Sequence, residues 1–134
     1  MQSLDRVPAI RQIATDRADC SAFDIVGHVT SADVENLFGL LEAAYALHDR
    51  IDVLVRIIDH DGVDWADISS RTLSEGKRLA KAHVRRCATV GEPNWIPNVT
   101  GFFSPSLDVE LKHFNMEEED EAWAWIGARP AEEL

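Results

Sequence analysis

The 134 residues are one domain's length, read as a single unit over 1–134, and 46% hydrophobic against 28% charged is the balance of a chain that folds around one core. Thirteen lysines and arginines against 24 aspartates and glutamates leave a net charge of −11, which argues against nucleic acid as a partner and against attraction to an anionic membrane face. No run of 18 apolar residues offers membrane insertion, and the opening MQSLDRVPAI lacks the basic-then-apolar order of a signal peptide, so the expected location is cytoplasmic, with Cys20 and Cys87 as reduced thiols rather than a disulfide framework.

In chain order, Val7 to Ala14 reads as a first strand, with Pro8 marking it as an edge. Ala22 to Val29 alternates with period two and follows a polar, turn-like TDRADCS, so the two strands are expected to pair antiparallel. Thr30 with Asp33 three residues on forms a short capping box. Val34, Leu37, Phe38, Leu41, Ala44, Tyr45 and His48 then fall at steps of three and four, one apolar stripe on a helix reaching about Asp49, with Glu35, Asn36, Glu42 and Ala43 off the stripe.

Ile51 to Ile58 (IDVLVRII) is branched and apolar on nearly both faces, the pattern of a central strand covered on both sides. Asp52 and Arg56 interrupt it on one face, where they could pair with each other or with neighbours. After an acidic turn (DHDGVD), a second helix is expected over about Trp65 to His83, in which Gly76 costs roughly 1 kcal/mol against alanine unless the helix lies close to the sheet. Val84 to Val90 is the next strand, ended by Gly91. Trp95, Ile96, Val99, Phe102 and Phe103 suggest a short helix inside the loop-like Glu92 to Ser106, with Pro97 in its first turn. Leu107, Val109, Leu111 and His113 alternate with Asp108, Glu110 and Lys112, which fits an edge strand. Asn115 is placed to cap a last helix whose first turns carry acids and whose buried face is Ala122, Trp125 and Ile126, with Trp123 about 200° round from Trp125 and more exposed.

The order β-β-α-β-α-β-α-β-α predicts a small α/β sandwich, with about five strands in a mixed, largely parallel sheet and about four helices. GHVTSADVENL, IDVLVRIID, RRCATVG with Trp95 soon after, and HFNMEEEDEAWAWI stand in an order and spacing that resemble the SpoIIAA-like domains, bacterial relatives of the STAS fold (sulfate transporter and anti-sigma factor antagonist). The resemblance covers about Ile10 to Ile126. It implies an α/β domain that binds rather than catalyses. In anti-sigma antagonists a serine in the wording Asp-Ser-Ser-Gly, at the start of the helix after the central strand, is phosphorylated by a partner kinase. Here the equivalent stretch reads DHDGVDWADIS, acids stand in that place, and Ser69 and Ser70 are expected inside the helix, so the phosphoswitch does not carry over. Some of the wider group are similar to Sec14-type lipid-binding domains, with an apolar cavity under a helix.

The acidic turn, Asp59, His60, Asp61 and Asp64, lies past the carboxyl end of the central strand, where open α/β sheets place their sites. Hard cations take several such oxygens, but the closing glutamate of a calcium loop is missing and acids capping the helix account for the residues equally; no metal and no cofactor are expected. His60 alone among the histidines is placed for acid–base work, since its aspartate neighbours would raise its pKa; His48, His83 and His113 read as structural. Cys87 reads as a buried small hydrophobe and Cys20 as exposed in a polar turn, and Arg85 with Arg86 as a weak anion candidate. Trp65, Trp95, Ile96, Val99, Phe102 and Phe103, in segments after parallel strands, suit an apolar pocket or a protein interface, and suit loop packing on the core as well.

The leading expectation is a non-catalytic binding domain that acts on a protein partner or on a second copy of itself. The alternative is carriage of a small apolar ligand such as a fatty acid under Trp95 to Phe103, near Trp65. A small enzyme built on His60 with Asp59 or Asp61 comes last, because no nucleophile stands beside it in sequence.

Overall fold

The structure is a computed structural model in which residues 10–63, 69–91 and 109–131 are described, 59–63 by backbone alone. Five strands, β1 (Ile10–Ile13), β2 (Cys20–Val29), β3 (Ile51–Val63), β4 (Val84–Gly91) and β5 (Glu110–Phe114), form one sheet in the order β1-β2-β3-β4-β5. β1 pairs antiparallel with β2, and every other neighbour is parallel. The branched strand is central, as its two-sided apolarity requires: Ile51, Val53, Leu54 and Ile57 are all buried. Parallel neighbours need crossovers, and α1 (Ser31–Leu47) and α2 (Ser70–His83) supply those from β2 to β3 and from β3 to β4. A third helix, α3 (Glu119–Ile126), follows one 3₁₀ turn (Met116–Glu118). These three are the α-helices among the described residues; the expected fourth, at Trp95 to Phe103, lies outside them.

Period-two alternation sends successive side chains to opposite faces and so divides the core in two. Phe23, Ile25, Val53, Ile57 and Cys87 pack with Val34 of α1 and Ala80 of α2. Ala22, Leu54, Ala88 and Val90 pack on the other face against Ala122, Trp123 and Ile126 of α3. The helices therefore lie two on one side and one on the other.

Local chemistry sets the helix ends. The Thr30 hydroxyl accepts the Asp33 N–H at 3.3 Å and the Asp33 carboxylate accepts the Thr30 N–H at 2.9 Å, the reciprocal cap the sequence spells. α2 begins later than Trp65, because the backbone of β3 continues to Val63 and Ser69 is the cap, its Oγ accepting the Thr72 N–H at 3.0 Å. Ser69 thus caps α2 rather than lying inside it, and Ser70 is its first residue. The expected turn at Asp59, His60 and Asp61 is strand: β2 runs on to Val29, and it pairs Val26 with Asp59, Gly27 with His60 and Val29 with Val63. Asp64 and Trp65 fall outside the described residues, as do Val7 to Ala9 of the first strand and Leu107 of the last.

Three buried positions differ from expectation. Cys20 opens β2, pairs across from Asp52, and is buried rather than exposed in a turn. Trp123 is 5% exposed while Trp125 is only half-buried, the reverse of the expected pair. The inner stripe of α3 keeps Ala122 and Ile126 as expected and takes Trp123, whose indole N–H is bound by Glu119, in place of Trp125. Trp125 lies at the rim instead, its ring 5.1 Å from the Arg86 guanidinium and its carbonyl accepting from Arg86 Nη1 at 2.8 Å. Gly76 does mark a close approach, but to α1 rather than the sheet: a Cβ there would sit 2.5 Å from Phe38 Cζ.

Candidate functional site

Asp52 and Arg56 share a face, as alternation demands, but four strand residues are about 13 Å and Leu54 fills the space between, so they do not pair with each other. Each is bound by neighbours instead. Asp52, 2% exposed, accepts Arg85 Nε at 3.1 Å and Nη2 at 2.7 Å, and Arg17 Nη2 at 2.9 Å. The register shift that pairs Ile51 with Val84 but Asp52 with Arg86 leaves Arg85 as the extra residue, turned onto the carboxylate. Arg17 also holds Asp19 and the carbonyls of Ile126 and Gly127, so this cluster ties the turn before β2 to the end of α3. Hydrogen bonding to Arg17 holds the Asp19 carboxyl below its ordinary value. Arg56 forks onto Asp24 at 2.6 and 3.0 Å and reaches Glu119 at 2.7 Å, and Glu119 also accepts the Trp123 indole N–H at 2.9 Å.

These clusters consume the charge that anion binding would need. Arg17, Asp52, Arg85, Arg86 and Glu110 line a surface hollow of about 500 Å³ at the amino ends of β3 and β4, but each guanidinium there already faces an acid, Arg86 lying 3.1 Å from Glu110. Arg85 and Arg86 are thus structural partners. Among the described residues no three histidine, cysteine, aspartate or glutamate side chains converge to hold a metal ion. Burial pushes both thiols up to about 12, which removes the thiolate at neutral pH.

One hydroxyl–imidazole pair carries no signal in the order of residues. Thr89 Oγ1 lies 2.9 Å from His113 Nδ1, because β4 and β5 pair those residues directly. Thr89 is 3% exposed, which closes its hydroxyl to a substrate and leaves the pair a tie between neighbouring strands. His83 is structural as expected: its ring stacks on Tyr45 with centroids 4.6 Å apart, and its Nδ1 faces the Asp49 carbonyl at 2.9 Å. The side chains of Asp59, His60 and Asp61, and all of Asp64, Trp65, Trp95, Ile96, Val99, Phe102 and Phe103, lie outside the described residues.

Among the described residues the least covered apolar structure is the α1–α2 layer. Along the 17 residues of α1 only Val34 is buried; Leu37, Phe38, Leu40, Leu41, Ala44 and Tyr45 are half-buried, and Leu47 is 78% exposed. A groove of about 290 Å³ separates the helices, with Glu35, Phe38, Glu42 and Tyr45 on one wall and Arg71 and Leu79 on the other. The charges divide by helix: α1 carries Asp33, Glu35 and Glu42 and no base, while α2 carries Arg71, Lys77, Arg78 and Lys81 against Glu75 alone. Summing charge helix by helix, rather than over the whole chain, would have found this division in the sequence.

Comparison with known proteins agrees with this architecture. The chain is similar to an uncharacterized protein of the DUF3478 family with a SpoIIAA-like fold from Shewanella loihica PV-4, at 25% identity and a TM-score of 0.66 over 91% of this chain and 97% of that one. No curated protein matches it. The SpoIIAA-like family model matches residues 21–127, from the second residue of β2 to the glycine that ends α3, and the chain belongs to the SpoIIAA-like family.

Proposed function

We propose that the domain is a non-catalytic binding module that works by protein–protein contact, with a second copy of itself as its first partner. One observation carries this reading: α1 is 17 residues long and rich in apolar side chains, yet only Val34 is fully buried, while Leu37, Phe38, Leu40, Leu41, Ala44 and Tyr45 pack half-buried against the core and Leu47 is 78% exposed. α1 turns the apolar stripe of a sheet-covering helix to the core, but leaves most of that stripe half open. The remaining apolar surface is what a partner would cover, and single exposed leucines elsewhere would not need that explanation. The polar clusters support the same reading, since their carboxylates and guanidiniums are spent on joining strands and α3. SpoIIAA-like domains are in general non-catalytic, which fits.

Sedimentation velocity over a range from about 1 to several hundred micromolar tests it, the span in which interfaces of modest size assemble. The expected result is a species of twice the 15.0 kDa chain mass that grows with concentration. A strict monomer throughout, with nothing co-purifying in stoichiometric amount, overturns the reading.

A further inference from the structure

We infer that the α1–α2 layer is the surface of a two-fold dimer in which α1 of each copy lies against α2 of the other. The inference rests on the self-association proposed above and adds the surface and its pairing. Ala32, Asn36, Gly39, Ala43 and Ala46 are all exposed and recur at steps of four and three, which sets them in one outward seam along α1. Small, uncharged side chains there let a second helix approach closely. Glu35 and Glu42, seven residues apart and exposed, flank that seam. A second α1 laid on it would set acid against acid. The outward side of α2 offers the complement: Arg71 and Arg78 are exposed with Ser74 and Ala82 between and beyond them, and although Arg78 is shared with Glu75 at 2.8 and 3.0 Å, the bases of the helix outnumber that one acid.

The two helices also run in step, which fixes the register of the pairing. Gly76 meets Phe38 and His83 stacks on Tyr45, and both contacts join residues 38 apart in sequence. Glu35 is therefore level with the first turn of α2, and Glu42 with the stretch holding Arg78 and Lys81. A two-fold axis along the groove exchanges α1 and α2 while keeping those levels. It brings Glu35 of one copy to Arg71 of the other, and Glu42 to Arg78 and Lys81. Each charge contact occurs twice, as an isologous interface requires. Helices of 17 and 14 residues are about 25 and 21 Å long, so the two faces bury on the order of 1,000 Å² together, the small end for a specific interface.

Charge reversal tests this on the full chain. The double variant Glu35→Lys with Glu42→Lys places bases on both helices, and Arg71→Glu with Arg78→Glu places acids on both. All four positions are solvent-exposed, and circular dichroism of each variant checks its fold. Each variant alone is expected to lose the dimer, its dissociation constant rising about 100-fold. An equimolar mixture of the two is expected to recover a heterodimer within about tenfold of the wild type, because the basic α1 then meets the acidic α2 and the remaining pair is native. Added salt should weaken the wild-type dimer, an independent reading that needs no variant. Dimers that persist in both variants, a mixture that stays monomeric, or a wild-type dimer indifferent to salt overturns this surface and leaves self-association standing. A wild-type chain that never dimerises overturns both.

Discussion

Arg56 is one of the residues on which α3 and the sheet meet. It is mid-strand in the central strand, and a guanidinium there is tolerated only because its donors are matched: two go to Asp24, one to Glu119. Both acids raise the Arg56 pKa, Asp24 foremost, so the cation is permanent. Burial pushes the Glu119 carboxyl up, and the Trp123 indole and Arg56 more than offset it, leaving the group below its ordinary value. A carboxyl whose folded value lies below the unfolded one, near 4.3, adds stability that is whole above that pH and fades as pH falls through the lowered folded value. Glu119→Gln is therefore expected to cost about 1–2 kcal/mol at pH 7, from a charge-assisted hydrogen bond exchanged for a neutral one. The gap between variant and wild type should close below about pH 4, as the wild-type carboxyl protonates. Urea unfolding at a series of pH values measures it, and a gap that does not change with pH would assign the loss to shape rather than charge.

At the scale of elements, the joint between β3 and β4 depends on a residue that cannot be exchanged. Gly91 closes β4 at φ +133°, where side chains are strained, and a Cβ on it would lie 2.5 Å from the Ile57 carbonyl oxygen, which is backbone and fixed by the sheet. Gly91→Ala is expected to destabilise the domain by about 3 kcal/mol, seen as a lower urea midpoint with an unchanged slope. The slope matters, since a change in it would mean that the variant alters compactness and not only this contact. The elements themselves were legible where their determinants are local. Thr30 and Asp33 lie three residues apart and make the cap the sequence announces, and the two-sided apolarity of Ile51 to Ile58 places that strand in the middle of the sheet. What failed depended on partners distant in sequence. The polar string at Asp59 reads as a turn, yet β2 offers it pairing as far as Val29. In α3, Ala122 and Ile126 are buried as expected, but Trp123 rather than Trp125 joins them, its indole N–H held by the Glu119 that Arg56 binds from the central strand. The aromatic segment named as a binding surface, Trp95 to Phe103, lies outside the described residues, and the α1–α2 groove exists only once two helices 38 residues apart are laid side by side.

At the scale of the whole molecule, the two cores share a single sheet, and the cysteines happen to report on one each. Cys20 is packed in the cluster under α3, and Cys87 in the cluster under α1 and α2. Burial raises both thiols to about 12, so at pH 8 a disulfide reagent meets almost no thiolate and labelling must wait for opening. The central strand serves both cores, and β3 contributes Leu54 to the first and Val53 and Ile57 to the second. Neither face can open widely while that strand stays paired on both sides. The variants Cys20→Ala and Cys87→Ala, each leaving one reporter, should therefore give the same opening free energy within about 0.5 kcal/mol, equal to that of global unfolding for the same variant. The urea dependence of the labelling rate gives this value in the regime where closing outruns labelling. If the Cys20 thiol reacts through a smaller opening with a weaker urea dependence, α3 detaches on its own, and the Arg17–Asp52 and Arg56–Glu119 ties do not hold it to the sheet as firmly as α1 and α2 are held. Equal values for the two thiols make the central strand the unit on which both layers stand or fall.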